Sequence, residues 1–300
     1  MNNRNIAHFH LPGLFEFYEF YREFLALYHS HREYFYDWCD IGSIYGAPAE
    51  CLWGGGRAGY GDAAPEDVLS LMIEHQISAR LTFSNLLLKD EHLSDRRCNR
   101  LCRMFSSDSL VKNGVIVASD LLSNYLHHNF PQLYQVSSTT KVITDFEGFI
   151  SEATRSEFIY VVPDFRLNKK FDELKKMPQS FKDKVEFLCN ECCDFDCRSR
   201  RACYEAVSLE SLGLKSSHKC ASSNAAGGYS FARAMDNPAF ISLADIKDVY
   251  LPMGFTNYKI EGRSLGSALL LEFILYYMTR PQYHIHVREA LYLDNTLDLF

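Results

Sequence analysis

The sequence predicts a single domain, residues 1–300, folded as an eight-stranded parallel β/α barrel of the TIM type. Eight short β-rich runs alternate with helical stretches, and each run ends in polar or small residues. The chain has 300 residues, of which 47% are hydrophobic, which is enough for one large core. Strands separated by helices pair in parallel through right-handed crossovers, and eight of them close a barrel. An open doubly wound sheet is the alternative, but no Gly-x-Gly-x-x-Gly turn follows the first run.

The predicted strands share β-branched and aromatic residues bounded by turn formers, and they cover residues 6–11, 40–45, 78–83, 114–118, 133–137, 158–162, 185–188 and 258–260. Apolar spacing and charge predict helices at 15–28, 90–104, 120–128, 145–153, 168–177, 243–253 and 265–278. One further helix begins at residues 64–67, where Pro65 suits a helix start. The chain from 189 to 238 is predicted to be a Cys-rich insertion after strand seven.

Charge and hydropathy limit the function classes. The net charge of -7 gives no global basic field, so nucleic-acid binding would depend on a local patch. The first ten residues lack the apolar core of a signal peptide, and the run 265–278 carries Glu272 and is shorter than the roughly 20 residues of a spanning helix. We therefore expect a cytoplasmic protein with no membrane span. In that reducing compartment its ten cysteines are not a disulfide framework.

The active site of such a barrel lies at the C-terminal ends of its strands, where this sequence places many polar residues. The residues predicted to bind substrate are His10, Tyr45, Arg57, Asn85, Thr139, Lys141, Asp164, Arg166 and Asn190. The predicted catalytic residues are Asp120, Glu191, Glu261 and Arg263. Carboxylates at these positions could move protons, and guanidinium groups could hold a carboxylate or phosphate. Asp120 also reads as a helix N-cap, and Glu261 as an ion-pair partner of Lys259 or Arg263.

Cysteines concentrate after strand seven, from Cys189 to Cys197, with Cys220 further on. Thiolates hold iron–sulfur clusters or zinc, although this spacing matches neither a zinc ribbon nor a ferredoxin run, and unliganded cysteines remain an alternative. The glycine-rich loop after strand two carries another cysteine and opens on the same face. The predicted ligand set is therefore Cys51, Cys193, Cys197 and Cys220, with Cys51 the fourth ligand. Cys98 and Cys102, four residues apart on a helix, are expected to pack in the core.

Several segments together resemble one known family. Tyr258-Lys-Ile-Glu-Gly-Arg263 resembles the hallmark of the collagenase-like peptidase family U32 and its oxygen-independent hydroxylase relatives. The strand and Asp-bearing turn that end at Asp120, and Ser137-Ser-Thr-Thr140, are similar to further segments of that family. Asn190-Glu191 with Cys193 and Cys197 resembles the cluster-binding segment of relatives that act in anaerobic ubiquinone synthesis. The chain departs from the pattern where Arg198 replaces a Pro and Cys203-Tyr204 replaces a His-Tyr pair.

The resemblance implies a β/α barrel that binds a four-iron four-sulfur (4Fe-4S) cluster through four cysteines, with zinc as the alternative. It also implies a redox enzyme that hydroxylates an RNA base or a small aromatic substrate without dioxygen. A collagenase-like peptidase is the first alternative, but the sequence has no Ser-His-Asp arrangement in a nucleophile elbow and no zinc helix, and Cys193 and His218 are close only along the chain. A non-catalytic, cluster-bearing partner subunit of the same family is the second alternative.

Overall fold

A computed structural model describes residues 6–55, 63–107, 110–220, 222, 230–262 and 265–293 of the chain. It contains all eight predicted strands, each with bounds within two residues of the prediction. They are β1 (Ala7–Pro12), β2 (Cys39–Gly46), β3 (Ala79–Phe83), β4 (Gly114–Val117), β5 (Tyr134–Ser137), β6 (Phe158–Val161), β7 (Glu186–Leu188) and β8 (Asn257–Lys259). Arg57 and Arg263, both predicted to belong to the site, lie outside the described residues.

The strands form one parallel sheet in the order β6-β5-β4-β3-β2-β1-β8-β7. A parallel bridge between Val161 and Val185 joins the two edges, and the Val161 N–H donates to the Lys184 carbonyl at 2.8 Å. This bridge brings β6 next to β7, so the sheet is a nearly closed barrel of the TIM type, as predicted.

The helices surround the barrel, and the described ones are α1 (Tyr18–Ser30), α2 (Pro65–Glu74), α3 (Asp90–Leu93), α4 (Arg96–Phe105), α5 (Asp120–Asn129), α6 (Phe146–Thr154), α7 (Phe171–Lys176), α8 (Gln179–Lys182), α9 (Arg200–Ser211), α10 (Phe231–Asp236), α11 (Leu243–Asp245), α12 (Ser267–Tyr277) and α13 (His284–Leu293). Two predicted helices have a different form. The one at 90–104 is split because the Asp95 carboxylate accepts the Cys98 N–H at 2.7 Å and begins a new helix. The one at 243–253 continues from α11 as a π-helix over Ile246–Tyr250. No described helix is both long enough and apolar enough to cross a bilayer.

Helices α8, α9, α10 and α13 were not predicted. Helix α9 lies in the segment predicted to be a Cys-rich insertion, and it buries Arg200, Tyr204, Ala206 and Ser208 rather than a stripe of large aliphatic side chains. Its buried face therefore lacks the apolar periodicity from which a helix is recognised in sequence. This matters for the site, because α9 lies over one end of the barrel.

Alternation along the strands divides the core into two layers. Outward-facing residues such as Phe9, Val115 and Phe187 pack against the helices in one large apolar cluster. Inside the barrel a smaller apolar cluster consists of Tyr45, Ile116, Val136, Val162 and Leu188, against which Tyr134 and Tyr160 pack. Gly114 leaves room for the Tyr134 ring, because a Cβ at Gly114 would lie 2.4 Å from it.

Candidate active site at the barrel mouth

The interior of the barrel holds a buried ion network centred on Glu186 of β7. Arg80 Nη1 of β3 lies 2.5 Å from Glu186 Oε2, and Lys259 Nζ of β8 lies 3.5 Å from Glu186 Oε1. His10 Nε2 of β1 lies 3.5 Å from Glu186 Oε2. All four residues are less than a tenth exposed. Four separate strands thus direct charged or polar side chains to one point inside the barrel.

The network is held by further hydrogen bonds from the barrel wall. His10 Nδ1 lies 2.8 Å from Ser43 Oγ, and Arg80 Nε donates to the Tyr134 hydroxyl at 2.7 Å. The Arg80 guanidinium also lies 4.7 Å from the centroid of the Tyr160 ring. Together with the Glu186 carboxylate, these contacts give the Arg80 guanidinium two hydrogen-bond acceptors and an aromatic face, partners that a buried charge requires.

The ionisation of this network follows from burial and charge. Burial raises the pKa of the Glu186 carboxyl, but the neighbouring Arg80, His10 and Lys259 outweigh burial and bring that pKa to about 2. Burial, and then the charge of Arg80, hold the pKa of His10 well below its usual value. His10, predicted to bind substrate, is therefore a neutral imidazole enclosed in the network.

Above the network a narrow cleft opens at the C-terminal ends of the strands. Its hydroxyl-bearing lining residues are Thr82, Ser84, Ser138, Thr139 and Thr140. Its apolar and aromatic walls are Tyr45, Ile116, Leu188 and Tyr204, and its charged groups are Lys259 and Glu261. The space open to the centres of water molecules is about 40 Å³. Of the residues predicted from sequence, the cleft brings together Tyr45, Thr139 and Glu261.

Asn190 fixes the backbone of Glu261 beside the cleft. The Asn190 side chain accepts the Glu261 N–H at 2.7 Å and donates to the Glu261 carbonyl at 3.0 Å. Asn190 follows β7 and Glu261 follows β8, so this pair of bonds joins two neighbouring strand ends. Asn190, predicted to bind substrate, therefore positions another candidate residue.

A second ionic group lies on the rim, where the segments after β6 and β7 meet α9. Arg200 Nη2 lies 2.5 Å from Glu191 Oε2, and Arg200 Nε lies 3.6 Å from Asp164 Oδ2. Arg166 is fixed to the same Asp164, with Nε 2.7 Å from Oδ1 and Nη2 3.2 Å from Oδ2. The predicted residues Asp164, Arg166 and Glu191 thus come together, and they are linked by Arg200, which was not predicted from the sequence. The only local sign of Arg200 in the sequence is its basic character at the start of a helix that follows the cysteine run.

Asp120 and Lys141 lie in a third group on the flank of the barrel. Lys141 Nζ is 2.6 Å from Glu152 Oε1 and 3.1 Å from Asp120 Oδ1, and Arg155 Nη1 is 2.9 Å from Asp120 Oδ1. The Asp120 side chain is 63% exposed. Burial raises the pKa of Asp120, but its bonds to Arg155 and Lys141 bring that pKa below its usual value. Neither Asp120 nor Lys141 lines the cleft.

Asn85 anchors helix α9 to the end of β3. Its Nδ2 donates to Ser211 Oγ at 2.8 Å, and the neighbouring Leu86 N–H donates to Ser208 Oγ at 3.1 Å. Because Tyr204 of the same helix lines the cleft, Asn85 helps to set one wall of it. Asn85 itself is buried and does not line the cleft.

The contacts of the cysteines divide the predicted ligands into separate groups. Cys193 and Cys197 interact electrostatically with each other, and burial raises the pKa of the Cys193 thiol to about 12, opposed by Arg200. Cys51 Sγ instead lies 3.5 Å from Cys98 Sγ in the core. Cys220 is exposed. Within the described ranges, no three His, Cys, Asp or Glu side chains are grouped so that they could hold a metal ion.

His218 contacts Cys203, not Cys193, which was the cysteine considered beside it from the sequence. Cys203 Sγ of α9 lies 3.0 Å from His218 Nε2, and both side chains are partly buried. Along the chain His218 is nearer to Cys220 than to Cys203, so the contact with Cys203 depends on the position of α9 rather than on sequence separation.

No protein-family model matches the chain, and no curated protein matches it. Among solved structures, the chain is similar to one described as "The Structure of the U32 Peptidase Mk0906", with 15% sequence identity and a TM-score of 0.47. The match covers 74% of this chain and 84% of that chain. That structure is described under the name of the family that Tyr258–Arg263 resembles.

Proposed function

We propose that this chain is a U32-like iron–sulfur enzyme that hydroxylates an RNA base or a small aromatic substrate without dioxygen, at the mouth of its barrel. The observation that carries the proposal is the position of the Cys193–Cys197 pair. Arg200 of α9 interacts with Cys193, and Tyr204, one turn along the same helix, lines the cleft. A redox group at these thiols would therefore be separated from a substrate in the cleft only by helix α9.

Three of the segments that resemble the family meet around the mouth, whereas Asp120, which ends the fourth, lies on the flank of the barrel. Tyr258 and Lys259 belong to β8, Lys259 and Glu261 line one side of the cleft, and Ser138, Thr139 and Thr140 line another side. Asn190 and Glu191 follow β7 and contact both the cleft and the rim group. Convergence of these separate segments supports a common site.

The cysteines fit a cluster in part. Cys193 and Cys197 supply soft thiolate donors on one half-buried segment, and thiolates are the ligands of 4Fe-4S clusters. Cys220 and Cys51 are the proposed remaining ligands, and ligation by Cys51 would require its separation from Cys98. When bound, such a cluster supplies single electrons to a substrate.

The side chains of the cleft have separate roles under this proposal. Glu261 lines the cleft and is the proposed proton carrier, while Asn190 fixes its backbone. Tyr45 and Tyr204 are the walls against which an aromatic ring packs. Arg200 holds Glu191, whose Oε1 accepts the Cys193 N–H at 2.9 Å. This bond fixes the segment that carries the thiols.

Metal analysis of the full chain purified without oxygen tests the proposal. We expect brown protein with about four irons per chain, the count of a four-thiolate cubane. Cys193→Ser and Cys197→Ser are expected to lose that iron. Cys39→Ala is the matched control, because Cys39 is buried and contacts the Tyr277 carbonyl rather than another thiol. A colourless, iron-free parent protein, or one zinc per chain, would refute the proposal.

A thiol hydrolase is the second candidate, favoured by the 3.0 Å distance between Cys203 Sγ and His218 Nε2. An imidazole at this distance can accept a thiol proton and so activate the sulfur as a nucleophile. In that case Cys203→Ala abolishes peptide cleavage, whereas Cys193→Ala retains it, in protein that contains no iron. Peptide cleavage that survives Cys203→Ala would exclude this candidate.

A further inference from the structure

Lys259 places an amine inside the cleft at the barrel mouth. The residue is 7% exposed, and it is the one amine among the lining residues that the structure describes. Its Nζ lies 3.3 Å from the centroid of the Tyr45 ring, so an aromatic face holds the end of this flexible side chain in place. A lysine enclosed in a site in this way is a residue type that attacks carbonyl carbons.

The charges around Lys259 do not balance. Lys259 shares the Glu186 carboxylate with Arg80, and Arg80 is the closer partner, at 2.5 Å against 3.5 Å. Since His10 beside them is neutral, the three charged side chains carry one excess positive charge inside the barrel. A guanidinium does not lose its proton in a protein, whereas a desolvated ammonium next to another cation does. Lys259 is therefore the group that can release the excess charge and become a nucleophilic amine.

Glu261 is placed to take up the proton that Lys259 releases. It follows Lys259 by two residues, and both side chains line the cleft. Asn190 holds the Glu261 backbone through two hydrogen bonds. Glu186 is less suited to this role, because its cationic neighbours bring its pKa to about 2.

The cleft also contains hydroxyl groups for a carbonyl oxygen. Thr82 of β3 is 3% exposed, and its Oγ1 has no hydrogen-bond partner among the described residues. Ser138 Oγ accepts the Thr140 N–H at 3.2 Å and the Thr140 hydroxyl at 2.9 Å, so the Ser138 proton remains to be donated. A buried hydroxyl without a partner is costly, so its presence in the cleft points to a bound molecule with an acceptor oxygen.

The dimensions of the cleft limit the size of that molecule. About 40 Å³ is open to water centres, which is room for roughly three water molecules. This space fits a short aldehyde or ketone, or the carbonyl end of a larger one. The walls at Tyr45, Leu188 and Tyr204 suit its carbon chain.

We propose that Lys259 forms a covalent imine with the carbonyl carbon of an aldehyde or ketone bound in the cleft. Nζ, as the neutral amine, adds to the carbonyl carbon, and the π electron pair of the C=O bond passes to the oxygen. One N–H proton moves to that oxygen and gives a carbinolamine. The second N–H proton then leaves with the hydroxyl group as water while the C=N bond forms, so nothing is oxidised or reduced.

This activity is distinct from the proposed hydroxylation. It rests on the proposed function only in using the same mouth of the barrel, and it does not require the cluster. The roles of the side chains follow from their positions: Lys259 is the nucleophile, Glu261 the proton acceptor, and Thr82 and Ser138 the partners of the carbonyl oxygen.

Reductive trapping of the full chain with propanal and sodium cyanoborohydride tests the proposal. The reagent delivers hydride to an imine carbon and leaves a stable secondary amine, which peptide mass spectrometry locates. We expect Lys259 of the native protein to be labelled at least about tenfold faster than Lys175, an exposed lysine in the same sample. In denaturant the ratio of the two rates is expected to fall to about one, because both amines are then solvated.

A valine variant tests whether the carbonyl oxygen lies at Thr82. Thr82→Val keeps the shape of the side chain but removes the hydroxyl, and it is expected to slow labelling of Lys259 about tenfold. Thr279→Val is the matched control, because Thr279 is also buried but its hydroxyl donates to the Ile274 carbonyl at 3.2 Å, away from the cleft. It is expected to change the rate by less than about twofold. Thermal midpoints show that both variants are folded.

Two results would overturn the proposal: labelling of Lys259 no faster than that of Lys175, or equally fast labelling of Lys259 in Thr82→Val. Lys259→Arg keeps a cation beside Glu186 but cannot form an imine, so intact mass is expected to show one rapid addition fewer. If that variant does not fold, the comparison of the two lysines in the parent still decides.

The proposed function and the imine fail separately. Iron-free protein that traps propanal at Lys259 upholds the imine and refutes the cluster. Iron-loaded protein that shows no preference for Lys259 refutes the imine and leaves the cluster in place.

Discussion

Arg80 and Glu186 face each other across the inside of the barrel, with Nη1 and Oε2 2.5 Å apart and both side chains sealed from solvent. The pair lies beneath the cleft, and Glu186 also contacts Lys259, which lines it. A buried ion pair adds little net stability, but removal of one partner leaves the other charge buried and unpaired. The pair therefore fixes the floor of the site, and the stability of the fold depends on both partners being present.

Glu186→Gln is expected to reduce the free energy of unfolding by about 3–5 kcal/mol, because it leaves Arg80 without its carboxylate. Denaturant unfolding measures this loss. The double variant Glu186→Gln, Arg80→Met is the control, and it is expected to lose less than the sum of the two single losses because neither charge remains. A loss below about 1 kcal/mol in Glu186→Gln would show that the pair is not buried as described.

The pH dependence of stability should report the neutral, enclosed His10. The pKa of His10 is lower in the folded state than its unfolded value of about 6.5. Its favourable contribution to the free energy of unfolding is therefore complete above pH 6.5 and is lost as the pH falls towards the folded pKa. Below pH 6.5 the free energy of unfolding of the parent is expected to fall more steeply than that of His10→Gln, by about 1.4 kcal/mol for each pH unit. Unfolding free energies of both proteins between neutral and mildly acidic pH check this. Parallel curves would contradict it.

Alkylation should distinguish the thiols by position. Contact with Cys51 and burial hold the pKa of Cys98 far above its usual value, and burial does the same for Cys102. At mildly alkaline pH, iodoacetamide is expected to modify the exposed Cys220 of iron-free protein first and to reach the two core thiols only after unfolding. Mass spectrometry of timed samples measures this order. Early modification of Cys98 would mean that the Cys51 segment opens in solution.

Asp120 and Glu261 were both predicted to be catalytic, and replacing each acid by the corresponding amide is expected to affect turnover differently. Asp120 is largely exposed in an ion cluster outside the cleft, so Asp120→Asn should cost less than about 1 kcal/mol of stability and change turnover by less than about twofold. Glu261 lines the cleft, so Glu261→Gln should reduce turnover by about 100-fold or more. Turnover assays of the two variants make the comparison. The reverse ranking would place the chemistry at Asp120.

The sequence predicted the strands well because each is a short apolar run between turn residues, a local property. Helix α9 was missed because residues such as Ala206 and Ser208 are buried on it, so its buried face has no apolar stripe. Part of the ion network had a local signal in the sequence, since His10 was predicted to bind substrate, but the charged residues Arg80 in β3 and Glu186 in β7 were not singled out. Which of these side chains meet depends on the curvature and register of the closed sheet, which no local pattern contains. The contact between Cys51 and Cys98 is of the same long-range kind.

The cluster at the barrel mouth is tested most directly by an X-ray anomalous difference map at the iron edge, from crystals of the full chain grown without oxygen. We expect an iron peak beside Cys193 and Cys197, next to the rim group around Arg200, which begins the helix whose Tyr204 lines the cleft. A map without iron there, from protein shown to be folded and prepared anaerobically, would contradict the central claim.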